Sequence, residues 1–139
     1  QWLPFTQAEL SAAAQTTLSF AKNYATWSYT ESAADYAAKL SPLVDAKELA
    51  ALKNGYGTAG VAGPRAIDKQ VSTGTGAIDS IRSFGATPTT TITFVVTIRQ
   101  HVTSTQPANT SASQYALTMS LSGGTWQVND LELSNLGNA

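Results

Sequence analysis

The sequence contains no cysteine, one histidine and one methionine, and only 12% of its 139 residues are charged. The missing cysteine excludes disulfides, thiolate metal centres and cysteine nucleophiles together. With one imidazole, at His101, a general base or a metal site has to find its partners among carboxylates that stand singly along the chain. The net charge is -1 and no run of Lys or Arg occurs. Nucleic-acid binding needs a basic stripe, so that class of partner is excluded. No stretch approaches the roughly 20 apolar residues of a membrane-spanning helix. No secretory leader is visible, and the sequence starts at Gln1. This reads as a trimmed domain whose N-terminal targeting or anchoring segment is missing.

Hydroxyl groups replace the charge, with 19 Thr and 14 Ser against 42% hydrophobic residues. One domain over residues 1–139 is expected, since a chain of this length buries a full core without staples. The Ser/Thr richness leans towards an exported domain. Asn109-Thr110-Ser111 matches the N-glycosylation sequon, a chance match if the chain is bacterial.

The first part, about residues 6–54, reads as helical. Thr6-Gln7-Ala8-Glu9 has capping-box spacing, and Leu10, Ala14, Thr17, Ala21, Tyr24 and Ser28 recur at helical intervals, which predicts a helix over residues 6–28. Trp2, Leu3 and Phe5 read equally as a staple against its first turn or as the remnant of a linker from a membrane anchor. A second helix is expected from Thr30, with Glu31 and Asp35 at its positive end and Lys39 at its negative end. Ser41-Pro42 looks like a cap followed by a first-turn proline, and Asp45 to Glu48 forms another capping box. Asn54-Gly55 is expected to stop that helix. The glycines between 55 and 64, with Pro64, read as a hinge.

Beyond it, about residues 65–134, the period falls to two. Ile92, Phe94, Val96, Ile98 and Val102 alternate with Thr91, Thr93, Thr97, Arg99 and His101, giving a long strand over residues 89–105. Tyr115, Leu117, Met119 and Leu121 alternate in the same way. Ser122-Gly123-Gly124-Thr125 forms a hairpin turn. Trp126 and Val128 then fall out of phase with Leu131 and Leu133, predicting a bulge at Asn129-Asp130. Two weaker strands are expected over residues 65–75 and 77–87. Helices followed by an antiparallel meander make an α+β fold, with helices covering one sheet face.

Two segments carry a family likeness: Ala21-Lys22-Asn23-Tyr24-Ala25-Thr26-Trp27, and the closing Gly124-Thr125-Trp126-Gln127-Val128. With them, nearly the whole chain resembles the nuclear transport factor 2-like superfamily, a cystatin-like cone of curved sheet on N-terminal helices. Within it the chain is similar to the exported domains of TcpC-like conjugation proteins (relatives of the type IV secretion scaffold) and of Mce-associated membrane proteins. The resemblance implies an extracytoplasmic, non-enzymatic domain held by one N-terminal membrane helix. Its partners would be other subunits of an envelope-spanning complex, or further copies of itself. It implies no cofactor and no catalytic motif.

Enzymes of the superfamily place an acid, a tyrosine and sometimes a histidine inside the cone, and here the available set is Asp79, His101, Tyr115, Asp130 and Glu132. Such a site needs a carboxylate with a raised pKa beside a phenol or imidazole. Nothing in the spacing makes these residues converge. His101 alternates onto the face away from Ile98 and Val102, and Asp79 and Asp130 suit a solvent face and a turn. The uncovered sheet face carries Thr91, Thr93, Val95, Thr97 and Arg99 and is nearly free of acids and lysines, which makes it a candidate interface. Alternative readings are a carrier of a small hydrophobic ligand in the cone interior and an isomerase or dehydratase. The crowd of Trp2, Phe5, Tyr24, Trp27 and Tyr29 reads as core packing, with a partner surface as the sharper alternative.

Overall fold

The computed structural model describes residues 6–57, 59–85, 91–105, 107–122 and 124–133. Trp2, Leu3 and Phe5, read as a staple or as a linker remnant, lie outside them. Thr6 opens helix α1 (Gln7–Ala25) with the expected reciprocal cap. The Glu9 N–H donates to its hydroxyl at 3.1 Å, and its own N–H donates to the Glu9 carboxylate at 2.8 Å. Ala13, Thr17, Phe20, Ala21 and Ala25 form the buried stripe, and the buried Thr17 hydroxyl donates to the Ala13 carbonyl at 2.8 Å.

The helix ends earlier than residue 28. Thr26 turns extended, its hydroxyl donates to the Lys22 carbonyl at 2.6 Å and accepts the Gly74 N–H at 3.0 Å, and Trp27–Ser28 become strand β1. Helix α2 (Ala33–Leu40) is capped by Ser32 rather than starting at Thr30. The Thr30 hydroxyl instead meets that of Ser28 at 2.9 Å. At the other end of α2, Lys39 pairs with Glu31 at 3.3 Å and reaches the Thr26 carbonyl.

Ser41-Pro42 does not restart a helix. A turn carries the chain to buried Val44, which forms one parallel bridge to Val128. The Val128 N–H donates to the Leu43 carbonyl at 2.8 Å, and the Asp45 N–H donates to the Val128 carbonyl at 3.0 Å. Those two bonds and the buried valine outweigh another helical turn. Asp45 then caps α3 (Ala46–Gly57), accepting the Glu48 N–H at 2.8 Å.

Asn54-Gly55 does not end α3, and the expected hinge is largely helical, because α4 spans Ala59–Asp68 with Pro64 inside it. A glycine costs a helix about 1 kcal/mol. Against this, Tyr56 in the last turn of α3 donates to the carbonyls of Ser28 at 3.0 Å and Glu31 at 2.7 Å. Helix α4 closes with Lys69 at φ 53°. The Gln70 N–H bonds the Arg65 carbonyl at 2.9 Å and the Lys69 N–H bonds that of Ala66 at 3.3 Å, the two-bond Schellman closure.

The two expected early strands are one, β2 (Val71–Gly85), beginning six residues after Arg65. It is followed by β3 (Thr91–Thr103), β4 (Asn109–Ser122) and β5 (Thr125–Leu133). The sheet is antiparallel throughout, in the order β1-β2-β3-β4-β5. Register shifts around Asp79 and Arg82 let β2 bend without breaking. In β5, Thr118 faces Asp130 and Met119 faces Val128, so Asn129 is the extra residue of the expected bulge. Gly124, at φ 81°, makes the turn into β5.

Ile92, Phe94, Val96 and Ile98 are 0–3% exposed, as their alternation predicts. With Phe20, Leu40, Leu117, Met119 and Val128 they fill the space between the sheet and the helices. Truncating any of the larger ones to Ala should cost about 2–5 kcal/mol. The fold is therefore α+β, with the helices on one face of a bent antiparallel sheet.

Candidate functional site

Two surfaces hold the chemistry-bearing side chains. The first is the sheet face turned away from the helices. Thr93, Val95 and Thr97 are half-buried there, and Arg99 and His101 are exposed. The Thr93 and Thr118 hydroxyls meet at 3.0 Å. Asp79, the bulged residue of β2, accepts from the Thr97 hydroxyl at 2.6 Å and from the Gln114 amide at 3.0 Å. These two bonds, Thr97 first, hold the fully exposed carboxyl of Asp79 below its usual range. His101 Nδ1 lies 2.9 Å from the Thr110 hydroxyl. Asp130 and Glu132 fall opposite Thr118 and Ala116, in the same rows. The face is thus not nearly free of acid: β2 brings Asp79 beside Thr97 of β3, and β5 brings Asp130 and Glu132 beside Thr118 and Ala116 of β4.

The second surface is a cleft of about 290 Å³ between α1, α2, α3, α4 and the sheet. Tyr24, Trp27, Tyr36, Tyr56, Arg65 and Tyr115 line it. β1 fixes Trp27, which is 7% exposed, and the Arg65 guanidinium stacks on it with Cζ 3.7 Å from the ring centroid. The Tyr56 ring lies 5.3 Å from the same guanidinium and stacks on Tyr36 at 4.2 Å. The Tyr36 hydroxyl donates to the Tyr24 carbonyl at 2.6 Å. Tyr24 and Tyr115 pack edge to face at 6.1 Å. Burial pushes the Tyr24 phenol up to about 12, with the neighbouring Tyr115 adding to it, and burial also raises Tyr36. Desolvation lowers Arg65.

The enzyme-like set does not converge. Tyr115 lines the cleft, on the sheet face that buries Val96, while Asp79 and His101 lie on the opposite side of the sheet. Asp130, exposed on β5, adds to the burial that raises Glu48. Among the described residues no group of three or more His, Asp or Glu is placed to hold a metal ion. Sequence reasoning missed Arg65, Tyr36, Tyr56 and Gln100 as cleft residues. It read Arg65 as the start of a strand, although the concentration of tyrosine and tryptophan in the helical half pointed to this region.

No protein-family model matches the chain, and no curated protein sequence matches it. Solved structures do. An IcmL-like type IV secretion system protein from Legionella pneumophila superposes with a TM-score of 0.64 at 12% identity, over 92% of this chain and 91% of that one. A periplasmic fragment of TraM gives 0.58 at 11% identity, over 95% and 97%. The intermembrane space region of the chloroplast protein ARC6 gives 0.55 at 11% identity, over 93% and 96%. Nearly end to end, then, the chain has the fold of an IcmL-like type IV secretion protein and of a periplasmic TraM fragment, and at these identities the likeness is one of fold.

Proposed function

We propose that this chain is a non-enzymatic assembly domain on the extracytoplasmic side of a membrane, part of a conjugation or type IV secretion complex. In this reading an N-terminal helix anchors it, and the outer sheet face docks other subunits or further copies. The near-complete correspondence with the IcmL-like secretion protein carries the proposal, and the TraM fragment, described as periplasmic, supports the location. The face itself fits the role. Half-buried Thr93 and Thr97 are bonded to Thr118 and to Asp79, so at its centre a partner meets a preformed polar surface rather than one that must first be ordered.

An apolar carrier is less well supported. Phe20, Leu40, Leu117 and Met119 fill the interior, and a wholly apolar ligand in the cleft would leave the Arg65 guanidinium there without a counter-charge.

Sedimentation of the domain over a wide concentration range, with Val95→Glu in parallel, tests the docking face, together with transfer assays in cells carrying the same substitution. Self-association or transfer lost in Val95→Glu, with an unchanged fold, is the expected result. A monomer at every concentration and full transfer by the variant would rule out this surface.

A further inference from the structure

Arg65 is the cation of the cleft, and its surroundings leave it incomplete. Its Nη1 is buried and has no hydrogen-bond partner. A buried donor left unsatisfied costs about 1–3 kcal/mol, more when charged. The nearby polar groups are directed elsewhere: the Tyr56 hydroxyl to the Ser28 and Glu31 carbonyls, the Tyr36 hydroxyl to the Tyr24 carbonyl, and the Gln100 amide to the Ser72 hydroxyl at 3.2 Å. Glu31 pairs with Lys39, and among the described residues no carboxylate pairs with Arg65. The phenols cannot neutralise it, because a tyrosine is already protonated at physiological pH, and burial only raises Tyr24 and Tyr36 further.

We propose that the cleft between α3, α4 and β1 is a binding site for a small carboxylate with an apolar or aromatic body, received by Arg65 between the rings of Trp27 and Tyr56. Each part of that description follows from the site. A guanidinium presents a planar fork of donors that matches a planar carboxylate; Nη1 has no partner but is closed to solvent, so an acid first meets the part of Arg65 that lines the cleft. Stacking on Trp27 at 3.7 Å fixes the plane of the fork, so the ion need not be ordered on binding. The rest of the wall is ring face and the side chains of Ala51 and Leu52, which suits an apolar body. A cleft of about 290 Å³ lies at the small end of ligand sites, large enough for one ring and its acid group. A free small molecule and the C-terminus of a peptide chain both supply such an acid, the chemistry being the same in both. The inference does not rest on the assembly role.

The test is a titration followed by NMR, reading the Trp27 indole N–H and the Arg65 side-chain Nε–H. The probes are phenylacetate, its neutral amide phenylacetamide, inorganic phosphate, and the dipeptide Gly-Leu with a free or amidated C-terminus. Saturable shifts of both resonances by phenylacetate or by the free dipeptide are expected, with the matching amide at least about tenfold weaker, as the loss of a charge-assisted pair requires. The tighter of the two acids identifies the source, small molecule or chain terminus. Arg65→Gln should abolish the shift of Trp27. Ala51→Trp, at an exposed position on the cleft wall, should weaken binding by filling the space without touching Arg65, and it decides the matter if Arg65→Gln fails to fold. Equal binding of acid and amide, phosphate binding in place of either acid, or acid binding unaltered by Ala51→Trp would each overturn the proposal. So would the absence of any saturable shift.

Discussion

Gly74 lies so close to Ala25 that a Cβ on the glycine would stand 2.3 Å from the alanine Cβ. Two residues along, Gly76 stands in the same relation to Ala21, at 2.5 Å. A step of two on β2 thus meets a step of four on α1, and side chains of one carbon or none let the helix rest directly on the strand. Closing the seam at its end, the Ser72 hydroxyl donates to the Ala25 carbonyl at 2.6 Å.

Gly74→Ala should therefore destabilise the fold by at least about 1–3 kcal/mol, the usual cost of overpacking, read as a lower urea midpoint with an unchanged slope. Adding Ala25→Gly should recover part of the loss, despite the roughly 1 kcal/mol that a glycine costs a helix. Strict additivity of the two substitutions would show that the contact is not what matters.

Lys69 occupies a left-handed conformation at φ 53°, which costs a side chain with a Cβ roughly 1–2 kcal/mol. Lys69→Gly should raise stability by about 0.5–1 kcal/mol, since glycine is the natural residue at this point of a Schellman closure. Lys69→Val should lower it. Thermal melts of the two variants, compared with the parent, check both signs.

Hydrogen bonds from Thr97 and Gln114 depress the Asp79 pKa in the folded state. The native state therefore holds its proton less tightly than the unfolded chain, and the stabilisation is complete above the unfolded value near 3.8. It is lost as pH falls through the lower folded value. The stability difference between parent and Asp79→Asn should be present at neutral pH and fade below about pH 4. Thr97→Val should return the Asp79 carboxyl towards its ordinary value, which carbon-detected NMR titration reads directly.

His101→Ala should change stability by less than about 0.5 kcal/mol, as exposed positions generally do. The ring is exposed and its contact is to the exposed Thr110 hydroxyl. A larger loss, seen by denaturant titration, would mean that the imidazole does structural work on the outer face.

What could be read in the sequence follows from how local each signal is. The Thr6–Glu9 cap and the alternation from Ile92 to Ile98 depend on neighbours within a turn or a strand, and both stand as expected. The bulge at Asn129 was legible as a phase slip, because one extra residue moves every later side chain to the other face. The Asp45 cap of α3 was legible because it too is local, but the turn at Ser41-Pro42 and the course from Asn54 to Gln70 were not. There the glycines and Pro64 argue for loop, while distant partners argue for helix. Tyr56 bonds back to Ser28 and Glu31, and Arg65 lies over Trp27. Those contacts join residues far apart in the chain, so no window of sequence contains them. The cleft depends on the same contacts and was hidden for the same reason. The acids beside the threonine face escaped notice because pairing between strands, not order along β3, brings them there.

The Leu43–Asp45 bridge to Val128 and the irregularities of β2 bear on what happens when many copies are crowded together. A meander has two open margins, and each offers a ladder of amide and carbonyl groups on which another chain can template itself. On the β5 margin, both backbone groups of Val128 are already engaged by Leu43 and Asp45. On the β2 margin, the Thr26 hydroxyl takes the Gly74 N–H, and the bulges around Asp79 and Arg82 throw the remaining ladder out of step. Neither rim presents a straight run for strand-by-strand recruitment. Interruptions at both rims disfavour strand-by-strand growth from one copy to the next, which leaves side chains rather than backbone ladders as the more accessible means of contact.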